Sequence, residues 1–144
     1  MGQFKNYEGG LAFLVRHTWL SMRAAIGAEL KEYGLSTAQY ATLMIVDENP
    51  GLSNADIGRK VSSSRQSANE MLAGLERDGL IERLPHPTDR RTQRIEITDA
   101  GRDRLAKARV LVARREAELE ATFTDEERAA VRAWLEGIAR ACSD

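Results

Sequence analysis

Ser62-Ser63-Ser64-Arg65-Gln66-Ser67-Ala68-Asn69-Glu70-Met71-Leu72-Ala73-Gly74-Leu75-Glu76-Arg77-Asp78-Gly79 is the stretch on which the reading of this chain turns. Its serine cluster offers N-cap oxygens, and Ser63 with Gln66 has the spacing of a capping box. Gly79 supplies a C-terminal stop. Between these signals Ala68, Met71, Leu72 and Leu75 recur at i, i+3, i+4 and i+7, the period that gathers apolar side chains on one buried helix face. The opposite face carries Arg65, Gln66, Asn69, Glu70 and Ala73. The first four have polar groups that match base edges: Gln and Asn suit adenine, Arg suits guanine or phosphate, and Glu accepts from cytosine. The small residues Ser62, Ser63, Ser64, Ser67 and Ala73 would let the helix approach a groove floor, and the hydroxyls with the helix N-terminus can hold phosphates. An ordinary amphipathic surface helix has the same pattern, so the next segment decides between the two.

After Gly79 the period changes. Ile81-Glu82-Arg83-Leu84 and Arg94-Ile95-Glu96-Ile97 alternate apolar and charged residues, as half-buried strands do. His86-Pro87-Thr88-Asp89-Arg90-Arg91-Thr92-Gln93 between them is rich in turn formers. A hairpin with Arg90 and Arg91 at its tip can lay a guanidinium into a minor groove beside the major groove that a preceding helix occupies. Asp89 is placed to orient one of them through a bidentate ion pair. A solvated hairpin tip would explain a single Asp-Arg-Arg, but not as readily one that directly follows a capped polar helix.

Three blocks now carry a resemblance: Asp-Gly-Leu-Ile-Glu-Arg at 78–83, Asp-Arg-Arg at 89–91 and Ile-Thr-Asp-Ala-Gly at 97–101. Together they resemble the winged helix-turn-helix of the MarR-type (multiple antibiotic resistance regulator) bacterial transcription factors, over nearly the whole chain from about Leu11. The resemblance puts Asp89 and Arg91 at the family's wing positions, and Arg65, Gln66 and Asn69 where its recognition helix faces bases. The fold it implies is mainly α with a small β-hairpin wing (α+β), a winged helix-turn-helix with long terminal dimerisation helices. In that scheme 1–144 is a single chain, 35–98 is the DNA-binding lobe, and 10–33 with 99–144 is the helical dimerisation region.

Composition agrees. A chain of 144 residues, 42% hydrophobic, suffices for a compact lobe plus a helical pairing region. The net charge of −1 argues against a strongly basic, non-specific nucleic-acid coat protein. From Gly58 to Arg94, eight basic residues (Arg59, Lys60, Arg65, Arg77, Arg83, Arg90, Arg91, Arg94) face five acidic ones (Glu70, Glu76, Asp78, Glu82, Asp89), an excess suited to specific binding with limited phosphate contact. A single cysteine, Cys142, allows no intrachain disulfide and no Cys-based zinc constellation. No apolar run of membrane-spanning length occurs, and Met-Gly-Gln-Phe-Lys-Asn-Tyr-Glu at the start lacks the character of a signal peptide, so a cytoplasmic protein without a membrane partner is expected.

Along the chain, a helix from about Gly10 to Tyr33 carries Leu11, Leu14, Thr18, Met22, Ala25 and Ile26 as one stripe, widened by Phe13, Leu20 and Ala24 until one partner helix could not cover it. Ser36 with Gln39 makes a capping box, stapled by Leu35 and Tyr40, for a helix reaching about Glu48. Asn49-Pro50-Gly51 forces a turn. Ser53 with Asp56, stapled by Leu52 and Ile57, then starts the short helix Asn54 to Lys60, the first half of the helix-turn-helix. Thr98 caps a helix to about Ala121, longer than a lobe this small can use for its own core. Its apolar side is Leu105, Ala108, Val112, Leu119 and Phe123. Thr124 to Glu127 is a further capping box, and Val131, Trp134, Leu135, Ile138, Ala139 and Cys142 keep the 3.6 period in the last helix. This surplus of apolar surface predicts pairing with a second copy, with two recognition helices about 10 bp apart on a palindromic site.

Catalysis finds no support. The two histidines, His17 and His86, lie in segments with different tasks, and no phosphate loop, nucleophile elbow or metal-ligand spacing occurs. No cofactor and no metal is expected. Some members of the resembled family sense oxidants through a cysteine near the start of the chain; this sequence has none there, and Cys142 reads as a small hydrophobe on a helix stripe. Many members bind aromatic or phenolic acids in a crevice between pairing helices and lobe. By position Arg16, His17, Trp19, Arg23, Tyr40 and Met44 are the candidates to line it, cations for a carboxylate and rings for stacking. The function so implied is a sequence-specific double-stranded DNA-binding transcription regulator, a homodimeric repressor of a palindromic operator released by a small-molecule effector. The alternatives are a DNA-binding regulator with no small-molecule input and a winged-helix protein-interaction module without DNA binding. Retained Arg65, Gln66, Asn69, Arg90 and Arg91 speak against the last.

Overall fold

The computed structural model of the chain describes residues 10–61 and 64–143. Six helices and one hairpin follow in the order α1 (Leu11–Glu32), α2 (Thr37–Glu48), α3 (Asn54–Lys60), α4 (Arg65–Arg77), β1 (Ile81–Pro85), β2 (Gln93–Ile97), α5 (Asp99–Glu120) and α6 (Asp125–Ser143). This is the mainly α fold with a hairpin wing that the sequence pattern predicts.

Short polar side chains set most of the helix starts. Ser36 Oγ accepts the Gln39 N–H at 3.0 Å while the Ser36 N–H donates to Gln39 Oε1 at 2.9 Å, a complete capping box. Ser53 and Asp56 repeat the arrangement at α3. Thr124 and Glu127 do so at α6. At α4 the structure corrects the sequence reading. The cap is Ser64, whose Oγ accepts the Ser67 N–H at 3.1 Å, one residue later than the Ser63–Gln66 box predicts. Any of three consecutive serines can cap, and local sequence does not choose among them; in the turn that follows, Ala68 sits over Gly58 of α3, in van der Waals range of a Cβ placed there. The Gln66 amide, released from capping, donates instead to Glu70 Oε1 at 3.4 Å. Ser62 and Ser63 lie outside the described residues.

Gly79 ends α4 in a Schellman motif. Its φ of 74° is the left-handed conformation that a side chain resists, and it lets Leu80 N–H reach Leu75 O and Gly79 N–H reach Glu76 O. The chain then enters β1, paired antiparallel to β2 with Ile81 opposite Ile97 and Arg83 opposite Ile95. Alternation sends Ile81, Ile95 and Ile97 into the core. The link before α3 adds a short third edge that local sequence does not announce: Ile95 N–H donates to Leu52 O at 2.8 Å, and Ser53 bridges Arg94.

One core holds the lobe. Leu35, Leu43, Val46, Ile57, Leu72, Leu75, Leu80, Ile81, Ile95 and Ile97 cluster with Leu30 of α1 and with Leu105, Ala108 and Val112 of α5. Each fully buried large aliphatic side chain contributes about 1.5–3 kcal/mol. The core therefore extends past residues 35–98 into one end of α1 and the first half of α5. Beyond these points burial stops. Leu30 is the one fully buried residue of α1, and α6 has none.

Candidate nucleic-acid interface

With Ala68, Leu72 and Leu75 turned into the core, helical geometry turns Arg65, Gln66, Asn69, Glu70 and Ala73 outward, and all five are exposed, as are Ser64 and Ser67. Arg65 makes no ion pair among the described residues, whereas Arg59, Arg83 and Arg94 of the same lobe pair with Asp56, Glu76 and Glu96. Asn69 is steadied by a residue the sequence reading passed over: Asn54 Nδ2 donates to Asn69 Oδ1 at 3.4 Å across the α3–α4 junction, while Asn54 Oδ1 is buried without a partner among the described residues. A polar residue at the first position of the short helix was the available signal.

The segment between β1 and β2 is a hydrogen-bonded turn. His86 Nδ1 accepts the N–H groups of Thr88 (3.3 Å) and Asp89 (3.1 Å), and Asp89 Oδ1 accepts the Arg91 N–H at 3.0 Å. His86 N–H donates to Thr92 O, and Thr92 N–H donates to Asp89 O. Arg90 and Arg91 are exposed and make no ion pair among the described residues. Asp89 thus orients the wing through backbone, where the sequence reading had it gripping an arginine side chain. A short carboxylate two residues ahead of an N–H closes an Asx turn, a partner nearer and cheaper to order than a mobile guanidinium. His86 was missed as a structural acceptor because a histidine next to proline carries no motif of its own.

Electrostatics in the lobe support these local structures. Hydrogen bonds from Ser53, with Arg59 adding to them, hold the Asp56 carboxyl below its ordinary value against a small opposing effect of burial. At α6, hydrogen bonds from Thr124 hold Glu127 low in the same way.

The family model for the MarR family matches residues 35–92, the span from the α2 cap through the wing tip. The solved transcriptional repressor CouR, bound to a 23-mer DNA duplex, is 30% identical, covers 95% of this chain and 97% of its own, and superposes with a TM-score of 0.85. The chain belongs to the MarR family. A Thauera aromatica protein named for transcriptional regulation of the hcr operon is 31% identical over 111 residues, 77% of this chain and 67% of that one. The homoprotocatechuate degradative operon repressor of Escherichia coli is 29% identical over 97 residues, 67% of this chain and 66% of that one. The present protein is accordingly a MarR-family transcriptional regulator and not an enzyme. Among the described residues no helix is long and apolar enough to cross a membrane.

Of the residues predicted to line an effector crevice of MarR type, Arg16, His17, Trp19 and Arg23 are exposed along α1, and the Arg23 guanidinium lies 5.2 Å from the Trp19 ring centroid. Tyr40 and Met44 pack on the margin of the core. Burial pushes the Tyr40 phenol up, Arg109 offsets part of this and Glu116 adds to it. Two grooves are lined by other residues. One of about 1070 Å³ runs between Thr18, Ser21 and Met22 of α1, Leu119 and Phe123, and Val131 and Leu135 of α6. A second of about 500 Å³ lies at the α1–α2 turn by Lys31 and Ser36. Cys142 is exposed rather than covered, as α6 has no buried residue.

Proposed function

We propose that this chain represses transcription as a homodimer on a palindromic operator, reading bases with α4 and tracking the flanking minor groove with the wing. The observation that carries the reading is the presence of two exposed polar surfaces: Arg65, Gln66, Asn69 and Glu70 of α4, and Arg90 and Arg91 of the wing that follows it, which make no ion pair among the described residues. Forked side chains on a helix supply base readout, and free guanidiniums supply phosphate and minor-groove attraction. Ser64 and Ser67 at the helix start are phosphate donors in this reading, and Ser62 and Ser63, which precede them in sequence, are proposed to join them.

Dimerisation is supported by apolar surface left uncovered in one chain. Leu11, Phe13, Trp19 and Leu20 of α1 and Val131, Trp134, Leu135 and Ile138 of α6 are all exposed, Phe13 by 61% and Val131 by 58%. Faces of this size at helical spacing call for a partner, and 10–33 with 99–144 would provide it around the lobe 35–98. A small aromatic or phenolic ligand would release the operator by favouring a dimer whose recognition helices are misplaced. The name of the E. coli relative, which ties that protein to a homoprotocatechuate degradative operon, supports this ligand class. Arg16, His17, Trp19, Arg23, Tyr40 and Met44 remain the proposed contacts.

Sedimentation of the protein with and without a duplex carrying an inverted repeat tests the reading. A species of twice the chain mass that takes up one duplex supports it. A chain that stays single at micromolar concentration defeats it.

A further inference from the structure

The first half of the wing tip is held by an imidazole acceptor. His86 Nδ1 takes the N–H groups of Thr88 and Asp89, and the Thr88 hydroxyl lies 3.3 Å from the same nitrogen. An imidazole nitrogen accepts only while it carries no proton, so these two backbone bonds require an unprotonated Nδ1. A second proton turns Nδ1 into a donor facing two donors. The turn that sets Arg90 and Arg91 then loses the anchor of its first half and keeps the Asp89 bonds to Arg91 and Thr92 and the backbone bond from His86 N–H to Thr92 O.

We propose that His86 is a positioning residue for DNA binding, which holds the wing arginines in register only in its neutral form. The proposal rests on the operator reading above. The charged groups on the surrounding segments are Asp89, Arg90 and Arg91 of the turn, Glu82 and Arg83 of β1, and Arg94 and Glu96 of β2. Arg83 is held by Glu76, and Arg94 lies by Glu96 at 4.0 Å. Asp89 spends one carboxylate oxygen on the Arg91 N–H. Acidification therefore gives His86 a sign that separates positioning from plain charge. An imidazolium that merely attracted phosphates would tighten binding as pH falls, whereas a lost turn loosens it.

The test uses the full chain as wild type, His86→Asn and His86→Ala. The Asn carboxamide oxygen can stand near the Nδ1 position and accepts without titrating. Affinity for an inverted-repeat duplex is measured at constant salt between about pH 8 and pH 5.5, the range in which imidazoles take up a proton. Wild type should weaken by roughly 3- to 10-fold on acidification, the equivalent of one or two ordinary hydrogen bonds. His86→Asn should bind well and lose that dependence, and His86→Ala should bind weakly throughout. Nitrogen-resolved spectra of the free protein should show the Thr88 and Asp89 amides shifting with the imidazole titration. Tighter binding at low pH, or a His86→Asn protein with the wild-type pH profile, overturns the inference. Should none of the three bind at any pH, the operator reading fails. The amide shifts then decide alone whether His86 holds the turn, and static amides would overturn that as well.

Discussion

Gly101 and Leu80 meet backbone to backbone: a Cβ at position 101 would overlap the Leu80 carbonyl oxygen and lie 2.7 Å from Ile97 Cγ1. The same carbonyl accepts the Thr98 N–H at 3.1 Å, and Thr98 Oγ1 donates to Gly79 O at 2.6 Å while accepting the Gly101 N–H at 3.0 Å. The first turn of α5 is thereby tied to Gly79 and Leu80, the residues that end α4.

Gly101→Ala should therefore destabilise the lobe by about 1–3 kcal/mol or more, since the clash is with backbone and cannot be relieved by a rotamer. Urea unfolding followed by circular dichroism would show a lower midpoint at unchanged slope. A midpoint equal to wild type would mean that α5 approaches β1 less closely than described.

Ser53→Ala should cost about 1 kcal/mol at neutral pH through loss of the α3 cap. The Ser53 bonds are also the leading reason that Asp56 is held below its ordinary value in the folded chain. A carboxyl depressed by folding contributes stability that is present above its unfolded pKa and is lost as pH falls through the lower folded value. The wild-type stability curve should thus fall below about pH 4, and the Ser53→Ala curve should fall less steeply there. Equal slopes would remove Ser53 as the cause.

How much of this could be seen in the residues depends on the range of the interaction. The boxes Ser36–Gln39, Ser53–Asp56 and Thr124–Glu127 close over three residues, and the sequence reading places all three correctly. Strand alternation likewise fixed which of Ile81, Ile95 and Ile97 turn inward. The α4 cap lies at Ser64 rather than Ser63, a choice among three serines that local sequence leaves equivalent. The roles of Gly101, Asn54 and His86, and the added edge at Leu52, depend on atoms brought from elsewhere in the fold. They carry no local periodicity to be read. For Asp89 the sequence offers an ion pair with a neighbouring arginine, whereas its partner in the fold is the Arg91 backbone N–H.

On operator DNA, Asn69→Ala and Gln66→Ala should each relax preference at individual base pairs, by about 1–3 kcal/mol where the contact is bidentate. Arg91→Ala should weaken binding to all sequences and flatten the salt dependence by roughly one counterion. Competition titrations with single-base variants distinguish the two patterns. Equal loss on specific and random duplex from Asn69→Ala would exclude base reading at that position.

Leu135→Glu places a charge on the exposed apolar face of α6, where no residue of the chain is buried. It should leave the lobe folded while converting a dimer to single chains in sedimentation, with operator affinity lost in parallel. A variant that remains dimeric would move the pairing surface elsewhere.

The central claim, sequence-specific readout by a two-fold pair of α4 helices and wings, is tested most directly by selecting bound sequences from random duplex DNA at near-physiological salt. The account predicts enrichment of a palindrome whose half-sites lie about one helical turn apart, bound far more tightly than random duplex. Failure to enrich any sequence, with only weak binding that salt abolishes, would contradict it and leave the winged-helix fold as a protein-interaction module.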